Sequence, residues 1–199
     1  MTEGRSSSTA REELLQALIE HLADHGVRDQ SLRTLAMAVG TSHRMLLYHF
    51  GSRAGLLAAV VDAVERRQRR VLERLVGTSR GTPREVALEF WSLLREPALR
   101  YGPLFFELSA HAMQEQPHAV VLRDALVEPW LTRLTELMTR AGHRPAAARV
   151  RARLGLAVAR GLLYDVLLTG DTASADAAMT FFVDLVDPEA PDRVPGSPV

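Results

Sequence analysis

Between residues 31 and 53 the chain reads SLRTLAMAVGTSHRMLLYHFGSR, and the side chains there with any chemistry suit one task. Arg33, Arg44 and Arg53 bring fixed positive charge, His43 and His49 bring ring nitrogens, Ser42 and Tyr48 bring hydroxyls, and no Asp or Glu interrupts them. The whole chain balances 24 basic against 24 acidic residues, so this acid-free window is a local bias. A phosphate backbone selects such a patch. The alternative is a solvated pair of helices in an ordinary helical domain.

Two short helices and a tight turn must position these groups. Ser31 is a good N-cap, and Leu32, Leu35, Ala36 and Val39 recur at helical spacing. Gly40 falls where the first helix should stop, because glycine accepts the left-handed C-cap conformation without steric cost. Thr41 or Ser42 can cap the second helix, whose inner face carries Leu46 and Phe50 one turn apart. This arrangement has helix-turn-helix geometry.

The run Ser42-x-x-x-Leu46-x-Tyr48-His49-Phe50-x-Ser52-Arg53-x-x-Leu56-Leu57, after Arg33-x-Leu35-Ala36-x-x-Val39-Gly40, resembles the signature of the TetR family of bacterial transcriptional repressors. Arg44 stands where that family usually has Gly, Leu47 replaces the first of two Tyr, and Arg53 replaces Lys. The resemblance implies an all-α protein with an N-terminal three-helix DNA-binding domain. A long helix joins it to a C-terminal ligand-binding and dimerisation bundle. The implied function is a homodimeric repressor of an inverted-repeat operator, released by a small-molecule effector. His43, Arg44 and Met45 would face base edges, with Arg33 reaching a base or phosphate. Tyr48, His49 and Arg53 would bind phosphates, with Ser42 at the start of the same helix.

The rest of the chain reads as helix throughout, about nine in all, with no strand pattern or solenoid repeat. Thr9 and Glu12 form a capping box, so the first helix should start there and end before Gly26. Ser52 caps a long helix over 53–76 whose crowded arginines, Arg66 to Arg74, read as a solvated face. After the linker GTSRG at 77–81, Thr82-Pro83-Arg84-Glu85 starts a helix that should stop near Arg95, before Pro97. Further helices are expected over 103–116, over 118–141 with a bend at Pro129, over 145–169 and over 172–187. The expected division is a mobile arm 1–8, a DNA-binding domain 9–53, a ligand-binding and dimerisation domain 54–188 and a disordered tail 189–199. The last two helices, rich in apolar and small residues, form the dimer interface by resemblance.

Composition narrows the remaining functions. Apolar residues make up 47%, as in ordinary globular proteins, and no run is long enough for a membrane span. The N-terminus lacks the apolar core of a signal peptide, so a cytoplasmic protein is expected. There is no Cys, which removes disulfides and thiolate chemistry. The basic residues are all Arg, a uniformity better ascribed to codon bias than to function. No glycine-rich phosphate loop appears, and no cofactor is implied.

Other constellations are weaker. Glu107, His111 and Glu115 are spaced four apart, so a Glu-His-Glu face could ligate a divalent metal if other helices added ligands. The same spacing suits a solvated face. His21 and His25 also share a face without completing a cluster, and Ser109 beside His111 lacks the setting of a nucleophile. Trp91, Phe105, Phe106, His111, Trp130 and Tyr164 are candidates to line a pocket for a largely apolar effector, although aromatics at helical spacing are more often core. The rival reading is an all-helical enzyme or metal-binding bundle. A third is an architectural DNA binder without an inducible pocket.

Overall fold

The computed structural model describes residues 3–28, 30–116, 119–120 and 122–186, with the side chains of 3–8, 124 and 125 outside the description. Eight helices lie among the described residues: α1 (Glu3–His25), α2 (Leu32–Ala38), α3 (His43–Phe50), α4 (Arg53–Thr78), α5 (Pro83–Met113), α6 (Leu122–Arg140), α7 (Pro145–Thr169) and α8 (Thr172–Val186). No strand occurs among them. The all-helical expectation therefore holds, with one helix fewer. The expected tail at 189–199 lies outside the described residues.

Three boundaries differ from expectation, the simplest being α6, which starts at Leu122 after a turn at 119–120 where a helix from 118 was expected. α1 begins at Glu3, so Thr9 lies inside the helix instead of capping it. Nothing in 3–8 stops a helix: there is no proline, and Gly4 sits in the first turn, where its backbone freedom costs least. The third difference is α5, which runs unbroken through Pro97 and Pro103. An interior proline costs about 3 kcal/mol through a lost hydrogen bond and a clash with the preceding turn. The packing of Trp91, Leu94, Ala98, Leu104, Leu108 and Ala112, all buried, outweighs that cost. Pro129 likewise lies within α6.

The chain forms two compact units. One comprises Met1–Arg67 with Arg100–Leu126, the other Gln68–Leu99 with Val127–Val199. In the first, Leu18, Leu22, Val27, Leu35, Leu46, Leu56, Leu57, Val60 and Leu108 are fully buried. Polar contacts fasten α1 to the second half of α5. Arg100 donates to Glu20 Oε2 from Nε at 3.1 Å and from a terminal nitrogen at 2.6 Å. The Tyr101 hydroxyl donates to Glu20 Oε1 at 2.8 Å. That hydroxyl, then Arg100, holds the Glu20 carboxyl below the ordinary carboxylate range.

The second unit has two apolar clusters. Leu72, Trp130, Leu131, Leu137, Ala152 and Leu156 make one, with Phe90 tilted against Trp130 at 6.0 Å. Trp91, Val166, Ala175, Met179 and Val183 make the other. α5 starts at the expected capping box: Thr82 N–H donates to Glu85 Oε2 at 2.7 Å, and Glu85 N–H to Thr82 Oγ1 at 3.3 Å. α7 ends at Gly170 in the left-handed conformation, and Asp171 caps α8 by accepting the Ser174 N–H at 3.0 Å.

Candidate nucleic-acid interface

Local sequence builds α2 and α3 end by end. Ser31 Oγ accepts the Thr34 N–H at 3.1 Å, and Ser42 Oγ accepts the Met45 N–H at 3.2 Å. Of the two candidate caps for α3, Ser42 is therefore the one used. Between the helices the Thr41 N–H reaches the Ala36 carbonyl and the Gly40 N–H the Met37 carbonyl, the paired bonds of a Schellman stop. Gly40 adopts φ +69°, which an L side chain takes up only with strain. A further stop at Gly51 lets α4 begin at once. A Cβ at Gly55 would collide with the Phe50 carbonyl, so glycine is what allows α4 to start so close to the end of α3.

The buried residues of the pair are Leu35, Ala36, Leu46 and Phe50. Arg33, Ser42, His43, Arg44, Met45 and Tyr48 are all exposed, and His49 is partly buried. Among the described residues neither Arg33 nor Arg44 makes an ion pair, so the positive charge of this surface is not neutralised. The Tyr48 ring stands edge-on to His49 at 5.0 Å. Ser42 uses its oxygen as an acceptor on the helix cap, and its hydroxyl keeps the capacity to donate.

Arg53 is placed differently from the others. Its Nε donates to the Gln30 carbonyl and a terminal nitrogen to the Val27 carbonyl, both at 2.9 Å. The guanidinium thus clasps the α1–α2 loop to the start of α4. Two contacts escaped sequence reasoning. Arg11 in α1 lies 5.2 Å over the Phe50 ring and reaches the His49 carbonyl at 3.5 Å, bracing the end of α3. Glu107 in α5 accepts the Val27 N–H at 3.1 Å. No local pattern announces contacts across 38 and 80 residues.

The metal face at Glu107, His111 and Glu115 does not assemble on one helix. α5 ends at Met113, and Glu115 lies in the turn beyond it, at φ 56°, paired with Arg123 at 3.0 Å. Among the described residues no group of three His, Asp or Glu could hold a metal ion. His21 and His25 stack on each other at 4.3 Å.

The aromatic pocket candidates scatter. In the first unit Phe105 and Phe106 meet edge to face at 5.2 Å on α5, about one and a half turns before His111. In the second unit Trp91 and Trp130 belong to different clusters and Tyr164 is exposed on α7. The Trp91 indole donates to Asp176 Oδ1 at 2.7 Å, and Arg95 pairs with the same carboxylate, which ties α5 to α8.

An exposed, acid-free helix-turn-helix at the front of an all-helical chain defines a DNA-binding regulator by class. Residues 14–60 match the family model described as bacterial regulatory proteins, tetR family. A transcriptional regulator from Rhodococcus sp. Rha1 is similar at 22% identity and TM-score 0.70, over 88% of this chain and 95% of its own. A TetR transcriptional regulator from Legionella pneumophila is similar at 19% identity and TM-score 0.71, over 87% and 95%. BioQ, solved with its natural double-stranded DNA operator, is similar at 21% identity and TM-score 0.56, over 87% and 96%. No curated protein matches the sequence. The helix-turn-helix domain belongs to the tetR family of bacterial regulatory proteins, and the chain carries the fold of a TetR-type transcriptional regulator.

Proposed function

We propose that the chain is a homodimeric, ligand-responsive repressor that binds an inverted-repeat operator and leaves it when a small apolar effector binds. In this reading it acts as a cytoplasmic, non-enzymatic regulator that needs no cofactor. The observation that carries it is the outward surface of α2 and α3, where Arg33, His43 and Arg44 are exposed with no carboxylate among them. Base edges fall to His43, Arg44 and Met45, and phosphates to Arg33, Tyr48 and His49. Arg53 acts mainly as the clasp that sets the loop before α2, with its remaining donors turned to the backbone of the DNA. BioQ, with its bound operator, is a precedent for the fold on DNA.

The dimer reading rests on α7 and α8. Val150, Leu154, Ala157, Gly161, Tyr164 and Leu168 are exposed along α7 at alternating spacings of four and three, one continuous stripe. Ala173, Ala177, Phe181 and Leu185 repeat every four residues along α8 and are exposed too. Such stripes fit a second copy, and Tyr164 suits that contact better than a pocket wall. The effector pocket keeps Phe105, Phe106 and His111 as its candidates, with Trp91 and Trp130 serving mainly as packing. For release, the effector must favour the arrangement of the dimer that cannot span both half-sites.

Gel shift of the full chain on a palindromic operator and on its single half-site tests the reading. A dimer with two recognition helices needs both half-sites, spaced by about one helical turn or a multiple of it. Equal affinity for half-site and palindrome would sink it. Thermal-shift screening of apolar compounds, followed by operator release, tests the effector; release only by metal ions or phosphorylated metabolites would remove the apolar pocket.

A further inference from the structure

We infer that the Met45 side chain reads the C5-methyl group of a thymine in the operator, at the base pair next to the one Arg44 contacts. The inference rests on the DNA-binding reading above and adds the base it selects.

The exposed apolar side chains of the DNA-binding region are not scattered. None of the large apolar residues of α1 or α4 is exposed among the described residues, whereas α2 and α3 expose Met37 at 75%, Met45 at 41%, Leu47 at 38% and Tyr48 at 72%. Surface economy does not explain that concentration, because the same two helices already carry Arg33, His43 and Arg44 on their solvated side. Geometry narrows it further. Leu46 and Phe50 fix the buried side of α3. At about 100° per residue, Arg44 and Tyr48 stand on the opposite side, with Met45 and Leu47 flanking them. Met45 is the flanking residue in the first turn, where a recognition helix meets base edges.

The charge of the surface commits it to a polyanion, and a major groove offers only one apolar feature. Phosphates and base edges are polar, except for the methyl group of thymine. On a helix the side chains of adjacent residues diverge by about 100°, so Met45 is aimed at a different part of the groove from Arg44, and with bases ~3.4 Å apart along a strand a side chain of its length reaches the pair beside the one Arg44 contacts. An unbranched thioether with three rotatable bonds can settle on a methyl group without a fixed approach.

The experiment starts from duplexes selected out of a random pool by the full chain. Each thymine of the selected site is replaced singly by deoxyuridine, which removes the methyl and leaves pairing intact. The expected result is one position per half-site where uracil weakens binding about fourfold, the weight of one buried methyl group. That preference should vanish in Met45→Ala, persist in Met45→Leu, and persist in Arg44→Ala, which instead loses discrimination at the neighbouring guanine. The inference is overturned if no uracil position weakens binding, or if Met45→Ala keeps the thymine preference while sequence-selective binding continues. If the full chain enriches no sequence at all, the DNA-binding reading itself falls and takes this inference with it.

Discussion

Arg53→Ala separates two roles that the sequence pattern alone assigns to one. By resemblance this residue is a phosphate contact, but its guanidinium donates 2.9 Å hydrogen bonds to the carbonyls of Val27 and Gln30. Hydrogen bonds from a charged donor each contribute about 1.5–3 kcal/mol, towards the lower end where water can replace them. Arg53 is partly buried, whereas Val27 is fully buried. The Val27 carbonyl keeps only a long turn bond, 3.4 Å from the Gln30 N–H, when the arginine is removed. Together these place the loss at about 2–3 kcal/mol. For a chain of this size each kcal/mol moves Tm by about 2–4 °C, so Arg53→Ala should lower Tm by about 5–10 °C without DNA present. Arg53→Lys should lose roughly half as much, since one ammonium cannot reach both carbonyls in fork geometry. Thermal unfolding by circular dichroism gives the first number, and affinity across a salt series gives the second. If Tm does not move and only the salt slope drops by about one, the clasp is energetically empty and Arg53 is a phosphate contact alone.

Arg44→Ala should cost about 1–3 kcal/mol on the selected operator and relax preference at one guanine per half-site, while Tyr48→Phe weakens all sequences about equally; affinities for cognate and guanine-substituted duplexes distinguish the two patterns. Glu20 supplies a pH test. Its folded carboxyl titrates below the unfolded one, first through the Tyr101 hydroxyl and then through Arg100, so its contribution is present above the unfolded value of about 4.3 and is lost as pH falls through the folded value. Wild type should therefore be more stable than Glu20→Gln near neutrality, and the gap should close in urea titrations below about pH 4. Leu154→Arg, on the exposed α7 stripe, should leave the helical signal unchanged, halve the mass seen by light scattering and abolish preference for the palindrome. A retained dimer would move the interface elsewhere.

Legibility in the sequence followed the range of the interaction. Caps and stops are local, so Ser31, Ser42, Gly40 and the Thr82–Glu85 box could be placed from residue type and spacing. The exposed face of α3 could be placed as well, because Leu46 and Phe50 fix its inner side. Prolines misled, since Pro97 reads as a local stop and Pro103 as the start of a new helix, and buried side chains along α5 carry one helix through both. The Glu107, His111, Glu115 series failed for a related reason. Spacing by four assumes that the helix continues, and α5 ends before Glu115. Contacts such as Arg11 on Phe50 depend on which helices pack together, which periodicity does not encode.

Val27 shows how these parts depend on each other. It is fully buried in the loop between α1 and α2, where a chain cannot leave its polar groups unpaired. Its N–H is taken by Glu107 from α5 and its carbonyl by Arg53 from α4, a carboxylate and a guanidinium gripping one residue from either side. Gly26, at φ +71°, turns the chain into that grip, and an added Cβ there would press on the Glu107 carboxylate. Glu107 is thus a component of the loop that leads into α2, with its Oε2 committed to the Val27 N–H. Four acids of the first unit follow the same logic. Glu20, Asp24, Glu107 and Glu115 are held against Arg100, the Val27 backbone and Arg123, on α1, on α5 and in the turn after α5. None lies on α2 or α3. Negative charge does structural work behind the helix-turn-helix, and the surface that would meet phosphate is left positive.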